Sequence, residues 1–421
     1  MTPTAPILPF REARDLVEDF AHRCRTPERE SVPLGDALGR ALGQALLADR
    51  DLPPFPRSTR DGYAVRTEDL APLPAHLLLV GEIKAGDSAE LFSRTLQPGQ
   101  AVSIMTGAAV PAGADAVVMV EHASVADSWV TIKRATARGE NIVARAAEAH
   151  AQDVVVAMGA RINHATIAVA AAVGKTTIEV FTRPHVAVLC TGDEVVPIDQ
   201  TPAPHQIRNS NAHSLAAQVT AAGGVPYLLP IAPDEPEALQ KLLAEGLGSS
   251  LLLVTGGVSM GKYDFVESAL EPFAPQFFFT GALIQPGKPT VFAEALRPGT
   301  ESAPFRLPVF GLPGNPVSTM VTFELFVRPV LAALCGQRPA PLRFPQARLA
   351  SDFHGKPGLT RFLPARFTGK GAEIGVELIP WKGSGDVVSA ASATCYVVIE
   401  PESDNLRAGE VVPILIPGAE L

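Results

Sequence analysis

The sequence predicts a multidomain α/β plus β protein. It has a central α/β sandwich with a parallel-rich sheet, a small inserted β-rich domain, a helical, elongated linker domain and a β-rich C-terminal unit. Three observations predict this. Three apolar runs, VLCTGDEVVPI at 188–198, LLVTGGVSMGKYD at 252–264 and VFGLPGNPVS at 309–318, each end in a glycine-bearing loop. Between 185 and about 335, strand-like runs alternate with helical ones, as parallel strands do when helices cover both faces of their sheet. The segments 61–145 and 340–421 hold short strand-like runs separated by Gly and Pro.

In chain order, residues 11–50 carry helical periodicity, with Ala13, Leu16, Val17 and Phe20 on one stripe and a second run from Leu34 to Ala48. PPFPRST ends that stretch, and HLLLVGEI, AVSIM, DAVVMV and WVTIKR follow as short strands. Residues 146–180 return to a helical pattern, HATIAVAAAVG, closed by Gly174 at the position where a left-handed residue ends a helix. The expected domains are 1–50 with 146–180 as a discontinuous elongated linker, 51–145 inserted into it, 181–335 as the α/β domain, and 336–421 as a small barrel or sandwich. Thirty-nine prolines, clustered at 53–56, 71–74, 197–204 and 339–345, mark the loops and boundaries.

Composition excludes several function classes. At 421 residues, 47% hydrophobic and 19% charged, the chain can bury several cores. A net charge of −9 with dispersed basic residues argues against a nucleic-acid surface. Four cysteines at 24, 190, 335 and 395 share no CxxC spacing and nine histidines form no HExxH, so neither zinc nor a disulfide framework is signalled. The N-terminus lacks a signal-peptide pattern and no apolar run is expected to reach the length of a membrane span. A reducing cytoplasm is the expected location.

The glycine loops point to an anionic ligand. At the carboxyl edge of an open α/β sheet, glycines let the backbone approach a phosphate and helix N-termini offer unpaired amides. Asp193, Glu194 and Asp264 lie on or beside two of these loops, so a metal is expected with the anion. Each residue also has a plainer reading: a solvated loop for Asp193 and Glu194, a helix cap for Asp264, a turn for Asp61 beside Gly62, exposed surface for Lys288 in QPGKPT. GVSMG at 257–261 matches the nucleophile elbow through Ser259, but the only histidine downstream is His354, in the terminal β unit, so a hydrolase is not expected. Gly174-Lys175-Thr176 is no phosphate loop, since Val169 stands where its first glycine belongs.

PPFPRSTRDGYAVR, SIMTGAAVPAGADAVVMVE, LCTGDEVV, IRNSNAHSL, TGGVSMGKYDF, QPGKP, GLPGNPVS, WKGSG and ATCYVVIEP follow one another along the chain. Together they resemble the molybdopterin molybdenumtransferase family, which inserts molybdate into adenylylated molybdopterin and whose animal relative is the gephyrin E domain. The resemblance implies a molybdopterin-binding α/β domain and a C-terminal β-barrel. It also implies a homodimer in which the β-rich domain of one subunit faces the α/β domain of the other, so that Asp61 acts in trans and Thr106 lies on the partner-facing side. Catalytic roles fall on Asp61, Glu194, Asp234 and Asp264, with Mg²⁺ held by Asp264, Glu194 and Asp61. The adenylylated pterin would lie over Thr191, Gly192, Gly256, Gly257, Ser259, Gly261, Gly311, Pro313, Gly314 and Asn315. Molybdate would be received by Lys288, Ser318, Arg361 and Ser384, two cations and two hydroxyls suited to a tetrahedral dianion. The molybdopterin adenylyltransferase and apo-molybdoenzymes are the further partners implied. Gln285 stands where the family commonly has Lys, and Lys262 and Tyr263 replace acidic or small residues. The rival readings are a molybdopterin adenylyltransferase, which the α/β block alone resembles, and a non-enzymatic scaffold.

Overall fold

Alternate residues of the central strands bury both faces of a sheet: Val186, Val188 and Cys190 face one core, Ala187 and Leu189 the other. That pattern suits a parallel sheet covered on both sides. The computed structural model describes residues 5–87, 95–257, 265–299, 305–338, 340–369, 374–403 and 405–418. Its central sheet runs in the order Val225–Leu228, His185–Cys190, Leu251–Thr255, Arg306–Leu312, Val291–Leu296, Gln276–Phe279. The first four strands are parallel and the last two antiparallel to their neighbours. Cys190 lies beside Thr255, and Thr255 beside Leu312, so the three glycine loops leave one edge from adjacent strands.

The linker is built from two distant stretches. Arg29–Pro33 pairs with Thr177–Phe181, and Leu46–Leu47 with Val154–Val156. Leu42, Leu46, Ile162, Ala170, Ile178 and Val180 share one core. Helix His164–Ala172 is capped by Asn163 and ends at Gly174 (φ 74°), where Lys175 N–H donates to Ala170 O at 2.9 Å and Gly174 N–H to Ala171 O at 3.0 Å. These bonds satisfy the last carbonyls of the helix. The inserted domain is a six-stranded sheet in the order Ala116–Met119, Gly62–Val65, Gln100–Ile104, Ala75–Ile83, Trp129–Ile132, Ala123–Ala126.

At the C-terminal end, Thr360–Thr368, Gly375–Leu378, Gln346–Leu349, Val411–Leu415 and Cys395–Ile399 close into a five-stranded barrel, because the last strand pairs back onto the first. Ile284–Gln285, from the central domain, adds to this barrel beside Thr360–Arg361.

Three expectations are corrected. The run from Leu34 to Ala48 is not helical beyond the turn Leu34–Asp36. Gly39 takes φ 77°, and a Cβ on Gly43 would lie 3.0 Å from the Val180 backbone, so this segment is built for close chain approach rather than a regular helix. Helix Phe10–Arg23 was grouped with the linker. Its stripe of Phe10, Ala13 and Val17 instead joins the central core, with the Phe10 ring 5.3 Å edge-on to Phe362 of the barrel. Among the described residues one helical stretch, Pro316–Leu334, is long and apolar enough to cross a membrane, but 72% of its apolar window is buried as a core helix. Basic residues far apart in sequence converge where the linker, central domain and barrel meet, around a cavity of about 330 Å³ that includes Arg14, Arg161, Arg328, Arg338 and Arg343. Arg14 and Arg328 there are paired with Glu18 and Glu324.

Candidate functional site

The three loops are locked to one another by hydrogen bonds that the flanking strands bring into reach. Thr255 Oγ1 donates to Pro313 O at 3.0 Å, and Thr319 Oγ1 donates to the same carbonyl at 2.5 Å. Asn211 Nδ2 donates to Gly314 O at 2.8 Å and to Thr255 Oγ1 at 3.1 Å. Gly256 takes φ 92°, and a Cβ there would come 2.6 Å from Thr191 O, so the first two loops touch backbone to backbone. The result is a cleft of about 710 Å³. Thr191, Gly192 and Glu194 line it from the first loop, Gly256 and Gly257 from the second. Pro313, Gly314 and Asn315 line it from the third, with Asp234 on the rim. Deep in this region, Thr191 Oγ1 and Asn211 Oδ1 are buried with no hydrogen-bond partner in the protein. Such atoms are costly to bury unless a ligand completes them.

The cleft is acidic on one side. Asp234 N–H donates to Asp193 Oδ1 at 3.1 Å. The Asp234 carboxyl is pushed above the ordinary aspartate value by burial first, then by the charges of Asp193 and Glu194. A divalent cation would relieve that repulsion. Among the described residues no three acidic, His or Cys side chains form a ready-made metal site. Glu194 and Asp234, which both line the cleft, could supply the one or two carboxylates that Mg²⁺ commonly takes from protein, with substrate phosphate and water filling its other positions.

A second cleft, of about 400 Å³, adjoins the first through Pro289, Pro313 and Asn315. Lys288, Ser318 and Ser384 line it. Val317 N–H donates to Ser384 O at 2.9 Å, which draws the barrel's loop onto the start of the core helix. Arg361 is 8% exposed and does not line this cleft, but its Nε donates to Gln285, which does, at 3.0 Å. Its Nη1 is buried without a partner in the protein.

Asp61 and Thr106 form a separate unit in the inserted domain. Thr106 donates both its N–H and its hydroxyl to Asp61 Oδ1, each at 2.7 Å. These two bonds, backbone first, hold the exposed Asp61 carboxyl below the ordinary aspartate range. Neither residue lines either cleft. Gly311 is not a loop residue: it lies inside strand Arg306–Leu312, paired with Val254 and Val291, and lines neither cleft. Asp264, Ser259, Gly261, Lys262 and Tyr263 lie outside the described residues. His354 Nδ1 is hydrogen-bonded to Asn405 at 2.7 Å on the barrel, so it is spent on structure. Asn211, which ties the second and third loops together, was missed as a site residue. Its signal was a polar side chain two places beyond the Asn209 that caps helix Ser210–Ala221.

Three family models match in sequence: the MoeA N-terminal region (domain I and II) over 8–174, the probable molybdopterin binding domain over 187–333, and the MoeA C-terminal region (domain IV) over 346–416. The molybdopterin molybdenumtransferase of Bacillus subtilis (strain 168) is 32% identical over 419 residues, 97% of this chain and 94% of its own. That of Nostoc sp. is 36% identical over 340 residues, 79% of this chain and 76% of its own. A crystal structure of the molybdopterin biosynthesis MoeA protein from Pyrococcus horikosii superposes with a TM-score of 0.72 at 30% identity, covering 99% of this chain and 100% of that one.

Proposed function

This chain belongs to the MoeA family of molybdopterin molybdenumtransferases, transferases of molybdenum cofactor biosynthesis, and from that premise we propose how its clefts divide the work. The larger cleft takes adenylylated molybdopterin, with its phosphates over the Thr191, Gly256 and Gly314 loops. The smaller cleft takes molybdate. The observation that carries this is their shared wall: Pro289, Pro313 and Asn315 border both, so the reacting ends of the two substrates meet there.

Two anions must be brought together, and their repulsion has to be screened. Lys288 and Arg361 supply positive charge at the dianion, while the Ser318 and Ser384 hydroxyls donate to its oxygens. Glu194 and Asp234 would hold Mg²⁺, which would supply positive charge at the phosphoanhydride. The dithiolene sulfurs then bond to molybdenum as oxo groups take up protons and leave as water, and hydrolysis of the anhydride releases AMP. Asp61 and Thr106 lie apart from the clefts of their own chain and are assigned to the site of a partner subunit. Asp61 stays ionised there and orients water or metal. A homodimer and a cytoplasmic location complete the proposal; four free thiols suit a reducing compartment.

The test is to incubate the protein with adenylylated molybdopterin, Mg²⁺ and molybdate. Molybdate-dependent AMP release is expected. AMP transfer from ATP to unadenylylated pterin, without need of molybdate, would replace this reading with the adenylyltransferase one.

A further inference from the structure

One side chain that lines the molybdate cleft with Lys288, Gln285, is a neutral amide, and its role is visible in one hydrogen bond. Ile284–Gln285 leaves the central domain and pairs in parallel with Thr360–Arg361, so Gln285 and Arg361 sit directly beside each other. Gln285 Oε1 accepts from Arg361 Nε at 3.0 Å. A guanidinium carries its five N–H groups in one rigid plane, so an acceptor on Nε fixes the rotation of the whole fork. Of the rest of the fork, Nη1 is buried and has no partner in the protein. A lysine at 285 could not do this, because an ammonium has no lone pair to accept with and would repel the guanidinium.

We propose that Gln285 is a positioning residue for Arg361: by accepting from Nε it fixes the guanidinium behind the cleft wall, so that its charge acts on the oxyanion from one set position. Gln285 supplies no charge itself. It acts only through Arg361, and the site's cations remain Lys288 and Arg361. The proposal rests on the reading that this cleft receives molybdate.

The experiment is a double-mutant cycle on the full chain, read as the KM for molybdate in the AMP-release assay, with the KM for adenylylated pterin as the internal control. Gln285→Met keeps side-chain length and loses the carbonyl acceptor. It should raise the molybdate KM about tenfold while the pterin KM holds. Arg361→Lys keeps the charge and loses the fork, and should raise the molybdate KM at least as much. Adding Gln285→Met to Arg361→Lys should cost nothing further, since a residue that acts through Arg361 has nothing left to act on. A full additional loss in the double variant would overturn the proposal by showing that Gln285 meets the anion itself. An unchanged molybdate KM in Gln285→Met, with Arg361→Lys impaired, would overturn it while leaving the molybdate cleft standing. If Arg361→Lys and Lys288→Gln both leave that KM untouched, the cleft does not bind molybdate and both statements fail. Gln285→Leu serves as the second variant, and melting curves of both identify any loss that comes from undocking the barrel.

Discussion

The sheet-edge cleft and the Asp61 corner are two answers to the same electrostatic task. At the sheet edge, three loops are hydrogen-bonded into a rigid wall, yet Thr191 Oγ1 and Asn211 Oδ1 are left unpaired. In the inserted domain, Asp61 Oδ1 already takes two bonds from Thr106 and stands exposed. The two regions move their carboxylates in opposite directions: burial and like charges raise Asp234, while hydrogen bonds lower Asp61. An incomplete, acidic, partly desolvated wall suits the ligand and cation proposed for it. A self-satisfied, permanently ionised carboxylate is a tool made ready for use elsewhere. On the proposed reading, the difference means that the full site needs more than one surface.

The largest test of that contrast removes each carboxylate. Asp61→Asn and Asp234→Asn should each lower molybdate-dependent AMP release by about 10²-fold or more. Equal mixing of the two variants after subunit exchange should restore about a quarter of wild-type activity, because half of the dimers then carry one intact site. No recovery in verified heterodimers would place Asp61 and Asp234 in the same chain's site and break the comparison.

Next in size is Asn211→Asp, which sets a carboxylate against the Gly314 carbonyl in place of a donor. Leaving those acceptors unpaired should cost about 1–3 kcal/mol in AMP affinity, measured by calorimetry, with the Asp61 corner unaffected. Thr106→Val is milder. It deletes one of two bonds to Asp61 and keeps the backbone one, so a loss of roughly fivefold in turnover with unchanged AMP affinity is expected. The carboxyl stays ionised at neutral pH, so the loss measures positioning rather than charge.

The smallest effect is pH dependence. Asp234 has a folded pKa above its unfolded value, so the folded protein holds that proton more tightly and gives up stability as pH rises through the folded pKa. Mg²⁺ needs the ionised form, so the Mg²⁺ concentration giving half activity should fall as pH rises through that range. Asp61 has the opposite sign: its contribution is present above the unfolded value near 3.8 and is lost as pH falls through the lower folded pKa. Asp234→Asn should flatten the Mg²⁺ profile, and Asp61→Asn should leave its shape alone.

Much of the cleft was legible in the chain because its signals are local. An apolar run, a threonine or proline and a glycine place Thr191, Gly256 and Gly314 at strand ends, where most of the lining residues were found. Gly311 was misplaced because the strand runs one residue beyond it to Leu312. Asn211 was passed over because its two bonds reach residues 44 and 103 positions away. The helical pattern of 34–48 misled for the opposite reason. Its apolar spacing suits a helix, but Gly43 serves a contact with the Val180 backbone that no local window contains.

By itself the sequence determined most element types, the parallel central sheet, the glycine loops at its edge and the chemistry of the side chains they carry. Those follow from backbone geometry and apolar periodicity, which act over a few residues. Only the tertiary structure decided what those groups are for. It carried helix Phe10–Arg23 from the linker to the central core, brought Ser384 into the cleft of Ser318 through a bond from Val317 N–H, kept Asp61 and Thr106 apart from the clefts, and set Gln285 against Arg361 by pairing strands 76 residues apart. Hydrogen bonds and buried charge depend on distance in space, and that distance is settled when the domains dock.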